Sequence, residues 1–335
     1  MESTGRHEPA RETSRRFAAY AWVVTALTLA VILWGAYVRA SRSGDGCGAH
    51  WPLCNGEVVP DATHAKTLVE FAHRATSGLA FLLVVGLVVW AFRTFRRGHP
   101  ARTAAIASGV FIVTESLIGA GLVLLRLVAD NASVARALYL SVHLVNTFLL
   151  VAALALTAWS ATEESASRVR LRDLLRGRAG AALVAALVLG VSGAVAALGA
   201  TLFPESAQAG AASAREFGPR AQLLFSLRQY KLHPLLAFVV CGYLTYFALR
   251  AYRSSCADAW VRRWAASVLS LVAAQLGAGL LNAALLAPVW LQIVHLLLAD
   301  LLWLALVLLN ASSLAQRDAR TEEFERIGLR SAVEI

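Results

Sequence analysis

Eight long apolar segments constrain this chain more than any other feature of its sequence. They cover residues 17–38, 68–92, 104–126, 134–159, 180–203, 230–250, 263–286 and 288–311. Each is long enough to cross a hydrocarbon core of about 30 Å, which takes roughly 20 helical residues. A segment in lipid must satisfy its backbone hydrogen bonds internally. We therefore predict an all-α polytopic membrane protein with eight transmembrane helices, because the alternating pattern of a membrane β-barrel is absent from the sequence.

Arginines predict the orientation of these helices. They cluster before the first span, after the eighth, and in the connections between spans two and three, four and five, and six and seven. Basic connections stay on the cytoplasmic side, so we predict a multi-pass cell-membrane protein with both termini in the cytoplasm. The first span is too long for a signal peptide and is expected to be retained. The net charge of +10 then reflects topology, and the chain offers no soluble basic domain for nucleic acid.

The sequence repeats itself once. Gly35-Ala36 recurs at Gly193-Ala194, and Ile118–Leu122 resembles Leu276–Leu280 at the same offset of 158 residues. Glycines at such positions allow helices to approach closely. Four spans in each half with the same sense predict two pseudo-symmetric four-helix bundles related by an axis along the membrane normal. The predicted domains are residues 1–165 and 166–335.

Four of the eight histidines fall inside spans, one on each even-numbered span: His73, His143, His233 and His295. A single intramembrane histidine is often a packed core residue, but four in one pattern are candidates for function. All four lie within the first turns of spans that enter from the outside, roughly 5 to 15 Å deep at about 1.5 Å per residue. Each half can therefore bring two imidazoles together at one level.

Paired imidazoles in a bundle core favour haem iron as the metal that they bind. Zinc or copper would usually need more ligands at each centre, and the spans hold no paired carboxylates or thiolates. Arg74 adjoins His73, while Arg228 and Lys231 precede His233. These cations are candidate contacts for haem propionates; the alternative is that they reach the membrane interface.

The two halves differ in one acidic residue. Glu70 lies one turn before His73 on the same helix face, whereas Tyr230 takes the matching place before His233. A carboxylate beside one site predicts proton-coupled chemistry there alone. The alternative is that Glu70 pairs with a nearby arginine or favours the helix N-terminus. Glu115 and Asp300 are further intramembrane acids, and the sequence assigns them no role.

Cys47 and Cys54 stand on the predicted outer loop between spans one and two. Disulfides persist on that side of the membrane, so a bridge is one interpretation of the pair. Two free thiols are the alternative, and a metal site is less favoured because only His50 is near enough to help. Cys241 and Cys256 lie in span six and an inner loop and are interpreted as structural.

These residues together resemble the haem A synthase family. The resemblance covers all eight spans and rests on Cys47 to Gly56 with its Trp-Pro-Leu-Cys-Asn-Gly sequence, on Glu70 to Arg74, and on the other three span histidines. It implies oxidation of the C8 methyl group of haem O to a formyl group, which gives haem A for cytochrome oxidase. Some members have a second cysteine pair between spans five and six, but residues 204–229 contain no cysteine.

The resemblance also implies roles for individual residues. His73 and His143 would flank haem O or haem A in the first half, and His233 and His295 would hold a resident haem b in the second. Glu70 would be the acidic residue needed for catalysis, and Cys47 and Cys54 would form the outer-loop disulfide.

Competing functions stay open at this stage. A diheme b-type cytochrome that only transfers electrons explains the histidines and the repeat, but not Glu70 or the cysteine loop. A haem carrier without catalysis is a third possibility. The expected partners are the lipid bilayer, an unidentified electron donor, haem O synthase (protohaem farnesyltransferase) and cytochrome oxidase assembly factors. Glycine-rich helix faces also leave a homo-oligomer open.

Overall fold

The computed structural model describes residues 7–61, 64–162, 171–202, 232–254 and 257–333. Eight α-helices occupy most of this part of the chain, joined by a short 3-10 helix, Leu171–Leu175, before the fifth. The helices are α1 His7–Ala40, α2 Ala65–Thr94, α3 Pro100–Leu124, α4 Val134–Thr162, α5 Gly177–Leu202, α6 Leu232–Tyr252, α7 Ala259–Ala284 and α8 Val289–Val333.

The eight predicted spans are confirmed. Each helix contains a segment that is long and apolar enough to cross a membrane, and the fold is an all-α polytopic membrane fold. Among the described residues the only β pairing is an isolated bridge between Cys54 and Glu57 in the α1–α2 connection. The last helix is longer than its predicted apolar span of 288–311: α8 continues to Val333.

Local signals explain where two of the helices begin. Pro100 opens α3, where its missing N–H costs nothing, and the Nδ1 atom of His99 accepts a hydrogen bond from the Ala101 N–H at 3.2 Å. Burial lowers the pKa of His99, which keeps this imidazole neutral and able to accept. Asp258 caps α7 by accepting from the Val261 N–H at 2.8 Å.

Helix packing follows the sequence repeat. In the first half, α1 packs on α2 and α4, and α3 packs on the same two helices. The second half has the same arrangement, with α5 and α7 each packed on α6 and α8. This matched packing is what two four-helix bundles require, although the division at residues 165 and 166 stays a prediction.

The fourth helix of each half lies at the centre of the molecule. In α4 and α8, 56% and 44% of the most apolar window is buried, against 33% or less in the other helices. The two helices contact each other, and Phe148 of α4 stacks on Trp303 of α8 with ring centroids 5.3 Å apart. The Trp303 indole also donates to the Phe148 carbonyl at 2.6 Å. The other six helices expose large apolar side chains, which suits contact with lipid.

A polar contact joins the halves near the end that carries the α1–α2 connection, here called the loop end. Arg39 of α1 donates to the Ala197 carbonyl and to the Thr201 hydroxyl of α5, both at 2.9 Å, and to Gln292 of α8 at 3.2 Å. One of these bonds reaches a backbone carbonyl and one a hydroxyl in the last turns of α5, and the third joins α1 to α8. The side of the membrane on which the loop end lies stays a prediction.

Candidate functional site

The second half brings His233 and His295 face to face. Their ring centroids are 6.5 Å apart and the rings are nearly perpendicular, at 88°. Two imidazoles that bind one central metal ion at about 2 Å each place their ring centres roughly 6 Å apart. The observed separation therefore fits one metal atom bound between the two rings. Both histidines lie within the first three turns of their helices, at the loop end.

Ser192 of α5 fixes the orientation of the His233 ring. Its hydroxyl is 2.7 Å from the Leu189 carbonyl and 2.9 Å from His233 Nδ1. A serine hydroxyl has one hydrogen, and the carbonyl can only accept. The serine oxygen must therefore accept from His233 Nδ1–H, which leaves Nε2 as the unprotonated nitrogen. That is the tautomer required of a histidine that binds a metal through Nε2.

His295 has a different polar neighbour. Its Nε2 atom lies 3.3 Å from the side-chain nitrogen of Gln275 on α7. Its Nδ1 atom is buried and makes no hydrogen bond within the described residues. The hydrogen-bond partners that the structure describes for these two histidine rings are thus both neutral.

Repeated glycines make room for the histidine rings. A Cβ atom at Gly193 would lie 3.1 Å from His233 Cε1, and one at Gly279 would lie 3.1 Å from His295 Cε1. In the first half, a Cβ atom at Gly35 would lie 2.9 Å from His73 Cε1. The glycines were predicted to permit close helix approach, and the side chains that use this space are the histidines themselves.

Gly279→Ala is expected to displace the His295 ring and reduce the haem content of the second half about tenfold. Gly277→Ala is a matched control two residues earlier on α7, where a new Cβ atom meets nothing within 4 Å. The measurement is haem b per protein from the reduced absorption spectrum. Equal haem content in the two variants would contradict the proposed steric role of Gly279.

The first half brings His73 and His143 within electrostatic range of each other and of Glu115. The halves are not copies at this level, because a Cβ atom at Gly121 would meet Tyr139, whereas the matching Gly279 faces a histidine. His73 Nδ1 is buried and makes no hydrogen bond to any described residue. The indole of Trp34, which occupies the position matching Ser192, instead donates to the Val69 carbonyl at 3.0 Å.

His143 has a carboxylate neighbour. Its Nδ1 atom lies 3.4 Å from Glu115 Oε1. Asn146 donates to the other carboxylate oxygen at 2.6 Å, and the Thr147 hydroxyl bonds to Oε1. Asn146 is held in turn by the hydroxyl of Thr114 at 2.6 Å. Two residues of α4 therefore fix a carboxylate of α3 beside a histidine of α4.

Glu70 lies between α2 and the cysteine loop. Its side chain is 4% exposed. One carboxylate oxygen accepts from the Cys47 backbone N–H at 2.8 Å, and the other pairs with Arg74 at 2.5 Å. Arg74 also donates to the carbonyls of His50 and Leu53 in the loop. The structure shows the pairing with a nearby arginine, and the role of Glu70 in proton-coupled chemistry stays a prediction.

The loop itself is cross-linked and packed on α2. Cys47 and Cys54 form a disulfide, and both are buried. Thr67 donates to the Gly46 carbonyl at 2.8 Å, and Gly46 lies so close to the backbone of Lys66 that no side chain would fit there. The loop is therefore fixed to the first turns of α2, directly before His73.

The candidate propionate contacts are not tested. The guanidinium of Arg74 is engaged by Glu70 and the loop carbonyls, so a propionate contact there stays a prediction. Arg228 and Lys231 lie outside the described residues. Asp300 is fully buried, and neither of its oxygens has a hydrogen-bond partner in the described part of the chain. No cluster of three or more histidine, cysteine or acidic side chains that could hold a metal ion occurs in that part either.

The residues that support the histidines were not among the candidates predicted from the sequence. They are polar residues inside spans, namely Ser192, Gln275, Asn146 and Thr147. Polar groups at membrane depth are a usable signal, and Ser192 adjoins a repeated glycine while Asn146 and Thr147 follow His143 by three and four residues. That signal identifies candidates without telling which ring each one contacts.

Comparison with known proteins is consistent with this geometry. The COX15-CtaA family model, described as cytochrome oxidase assembly protein, matches residues 18–307. A protein named protoheme IX farnesyltransferase from Thermus thermophilus is 50% identical over 92% of this chain, which spans only 50% of that protein. A heme A synthase from Bacillus mycoides is 43% identical over 110 residues, or 32% of this chain and 35% of that protein. A heme A synthase from Alkalihalophilus pseudofirmus is 37% identical over 109 residues, covering 32% and 37%.

Proposed function

This chain belongs to the family of cytochrome oxidase assembly proteins, and from that membership we propose that it is a haem A synthase. In this proposal it oxidises the C8 methyl group of haem O to a formyl group, and the product serves cytochrome oxidase. The similarity to two heme A synthases supports a role in haem A formation. The specific reaction is our inference from the site.

The observation that carries the proposal is the unequal pair of histidine sites. The His233–His295 pair has the spacing of two ligands on one metal atom, and its hydrogen-bond partners among the described residues are neutral. In the first half, His143 lies beside the Glu115 carboxylate, and His73 follows by three residues the buried Glu70, which binds the cross-linked loop. One site suited to a stable resident group and one suited to chemistry are what a haem-oxidising enzyme requires.

The residues of the second half fit a resident haem b. His233 and His295 would hold its iron, and Ser192 keeps the His233 tautomer that presents Nε2. A bound haem b would supply one-electron transfer in that half. In the first half, His73 and His143 would bind the iron of haem O, which is the substrate, and so hold its methyl group in a fixed place.

The loop contributes position and exclusion of water. Glu70 and Arg74 hold the disulfide loop against α2, and the loop carbonyls of His50 and Leu53 complete that contact. A fixed loop above the first-half site would keep bulk water away from the reacting methyl group. We therefore assign Glu70 and Arg74 a positioning role, with the disulfide limiting the freedom of the loop.

Prenyl transfer is a second candidate because of the name of the Thermus relative. Transfer from a prenyl diphosphate uses Mg²⁺, which is held by carboxylates together with substrate phosphates. The described residues contain no cluster of three or more histidine, cysteine or acidic side chains that could hold a metal ion, and Glu70 and Glu115 already have protein partners. We place prenyl transfer in the part of the Thermus protein that lies outside the match.

The assignment of prenyl transfer to the unmatched part of the Thermus protein leads us to propose a partner. If one relative joins the two activities in a single protein, this chain is expected to work beside a separate haem O synthase that supplies its substrate. We also propose an electron donor of unidentified class, because a hydroxylation that inserts one atom of O2 and releases the other as water takes two electrons from outside the substrate. The proposed location is the cell membrane, with the cysteine loop outside and both termini in the cytoplasm.

Expression in cells that make haem O but no haem A tests the proposal, with extracted haems separated by chromatography. Haem A, or haem O hydroxylated at the methyl group, is the expected result. Haem b in the protein with haem O unchanged would favour the electron-transferring diheme cytochrome, provided that an active haem A synthase expressed in a parallel culture of these cells produces haem A. Production of haem O in cells that otherwise lack it would favour prenyl transfer.

A further inference from the structure

Glu115 is a half-buried acid to which the function proposed above gives no specific role. It belongs to α3 and faces α4 near its loop end. Its two carboxylate oxygens contact three residues of α4, namely His143, Asn146 and Thr147. A charged carboxylate inside a span costs free energy, and such residues are candidates for function. The three partners on α4 indicate that the charge of Glu115 is retained there.

The network around Glu115 exists in one half only. At the offset of 158 residues, Glu115 matches Ala273. When His143 is aligned with His295, an offset of 152, Asn146 and Thr147 match Leu298 and Ala299. None of these three can donate or accept through its side chain. The second half instead uses Gln275, a neutral amide at another position on α7, to contact its own fourth-helix histidine. Packing of the repeat therefore does not require the carboxylate.

The two histidines of the first half are supported unequally. His143 Nδ1 lies 3.4 Å from Glu115 Oε1, a separation that a small side-chain rotation converts into a hydrogen bond. Neither His143 Nδ1 nor His73 Nδ1 makes a hydrogen bond to a described residue, but His73 Nδ1 has no carboxylate beside it, and its ring packs against Gly35. Only one of the two rings therefore has a partner that would fix its tautomer.

We propose that Glu115 is a positioning residue that makes His143 the stronger of the two iron ligands in the first half. This inference rests on the proposed function, since it assumes that His73 and His143 bind a haem iron. A carboxylate that accepts Nδ1–H holds the ring with Nε2 toward the metal and increases the basicity of that nitrogen. It also places a negative charge near the iron, which favours the ferric state.

The inference identifies His73 as the weaker ligand. It has no second hydrogen bond within the described residues, and it lies three residues after Glu70, on the helix to which the loop is fixed. If one histidine must leave the iron to open a coordination position, His73 is that residue. The stronger ligand stays on α4, at the centre of the molecule.

Glu115→Gln tests the inference, because it keeps the shape of the side chain and removes its charge. The readout is the midpoint potential and the electron paramagnetic resonance spectrum of each haem in the purified holoprotein from cells that make haem O. The His233→Ala background removes the second-half signal and so assigns the other. The control is Glu57→Gln, which removes one carboxylate from an exposed loop position.

We expect Glu115→Gln to raise the midpoint potential of the first-half haem and to change its resonance spectrum, while the second-half haem keeps wild-type values. Glu57→Gln should change neither haem. A first-half haem with the same potential and spectrum in Glu115→Gln as in Glu57→Gln would overturn the proposal.

A second measurement decides the case in which Glu115→Gln does not retain its first-half haem. Loss of His143 should then reduce first-half haem retention at least about tenfold more than loss of His73, measured in His143→Ala and His73→Ala. Equal retention in these variants would overturn the proposal. A wild-type protein that binds both haems with these properties but makes no haem A would contradict the proposed function and leave the ligand assignment intact.

Discussion

Glu70→Ala is expected to reduce haem A formation by about 100-fold or more while haem b stays bound in the second half. The variant removes the acceptor of the Cys47 N–H and leaves the guanidinium of Arg74 without its carboxylate. The Arg74 side chain is only 12% exposed, and a charge left unpaired in such a place costs several kcal/mol. The loop should therefore lose its fixed position beside His73. Haem chromatography and the haem b spectrum of the same preparation give both readouts.

Two further variants separate the positioning role of Glu70 from direct proton transfer. Arg74→Ala removes the same clamp from the other side, and we expect it to lower haem A formation in the same direction. Glu70→Gln keeps an acceptor for the Cys47 N–H, so it should be milder than Glu70→Ala. An Arg74→Ala protein with wild-type output would mean that the carboxylate acts on the substrate and not through the loop. Unchanged output in Glu70→Ala would refute both roles.

His233→Ala is expected to lose the resident haem of the second half, with haem b per protein reduced at least about tenfold. A bis-histidine site with one ligand removed has only His295 to hold the iron, and the Ser192 hydroxyl loses the ring that it orients. Haem A formation should fall as well, because we propose that electrons reach the substrate through this half. Haem b content and haem A formation are measured on the same sample.

Ser192→Ala is the graded control for His233→Ala. It leaves both ligands in place and removes only the acceptor of His233 Nδ1–H, so its haem loss should be smaller. The assignment of the halves is wrong if His233→Ala keeps its haem b and His73→Ala loses it. The roles of the two histidine pairs would then have to be exchanged.

The eight spans, and the positions of four histidines within them, could be predicted from the sequence alone. A run of about 20 apolar residues has few structural solutions in lipid, so the eight helices follow from length and composition. Imidazoles at membrane depth are rare, and four of them in one pattern indicate functional candidates. The shared offset of Gly35 and Gly193 predicted the repeat, and the helices pack in two matching sets.

The partners of the histidines could not be predicted in the same way. Which residues meet depends on how each helix is rotated about its axis, and apolar residues surround a lipid-embedded helix on most sides. The sequence therefore assigns Glu115 no role and does not single out Ser192, whereas the structure brings each of them to a histidine ring. The position of Arg74 predicts a contact with a propionate, but its contacts in the structure are with Glu70 and the loop.

The difference between the halves has a simple physical form. Both bundles place two histidines at the loop end and use glycines to make room for the rings. The first half adds the carboxylates of Glu70 and Glu115 and a cross-linked loop, whereas the described residues of the second half supply a hydroxyl and an amide. In the part of the chain that the structure describes, carboxylates near the histidines and a cross-linked loop thus occur in the half where we propose that the substrate binds.

The most direct test of haem A synthesis uses the purified protein, supplied with haem O, a chemical reductant and oxygen. Mass spectrometry then follows the haem that can be extracted. We predict conversion of haem O to haem A, through the form hydroxylated at the methyl group, and no conversion when oxygen is withheld. Unchanged haem O in a protein whose second-half haem is reduced and reoxidised normally would contradict the account.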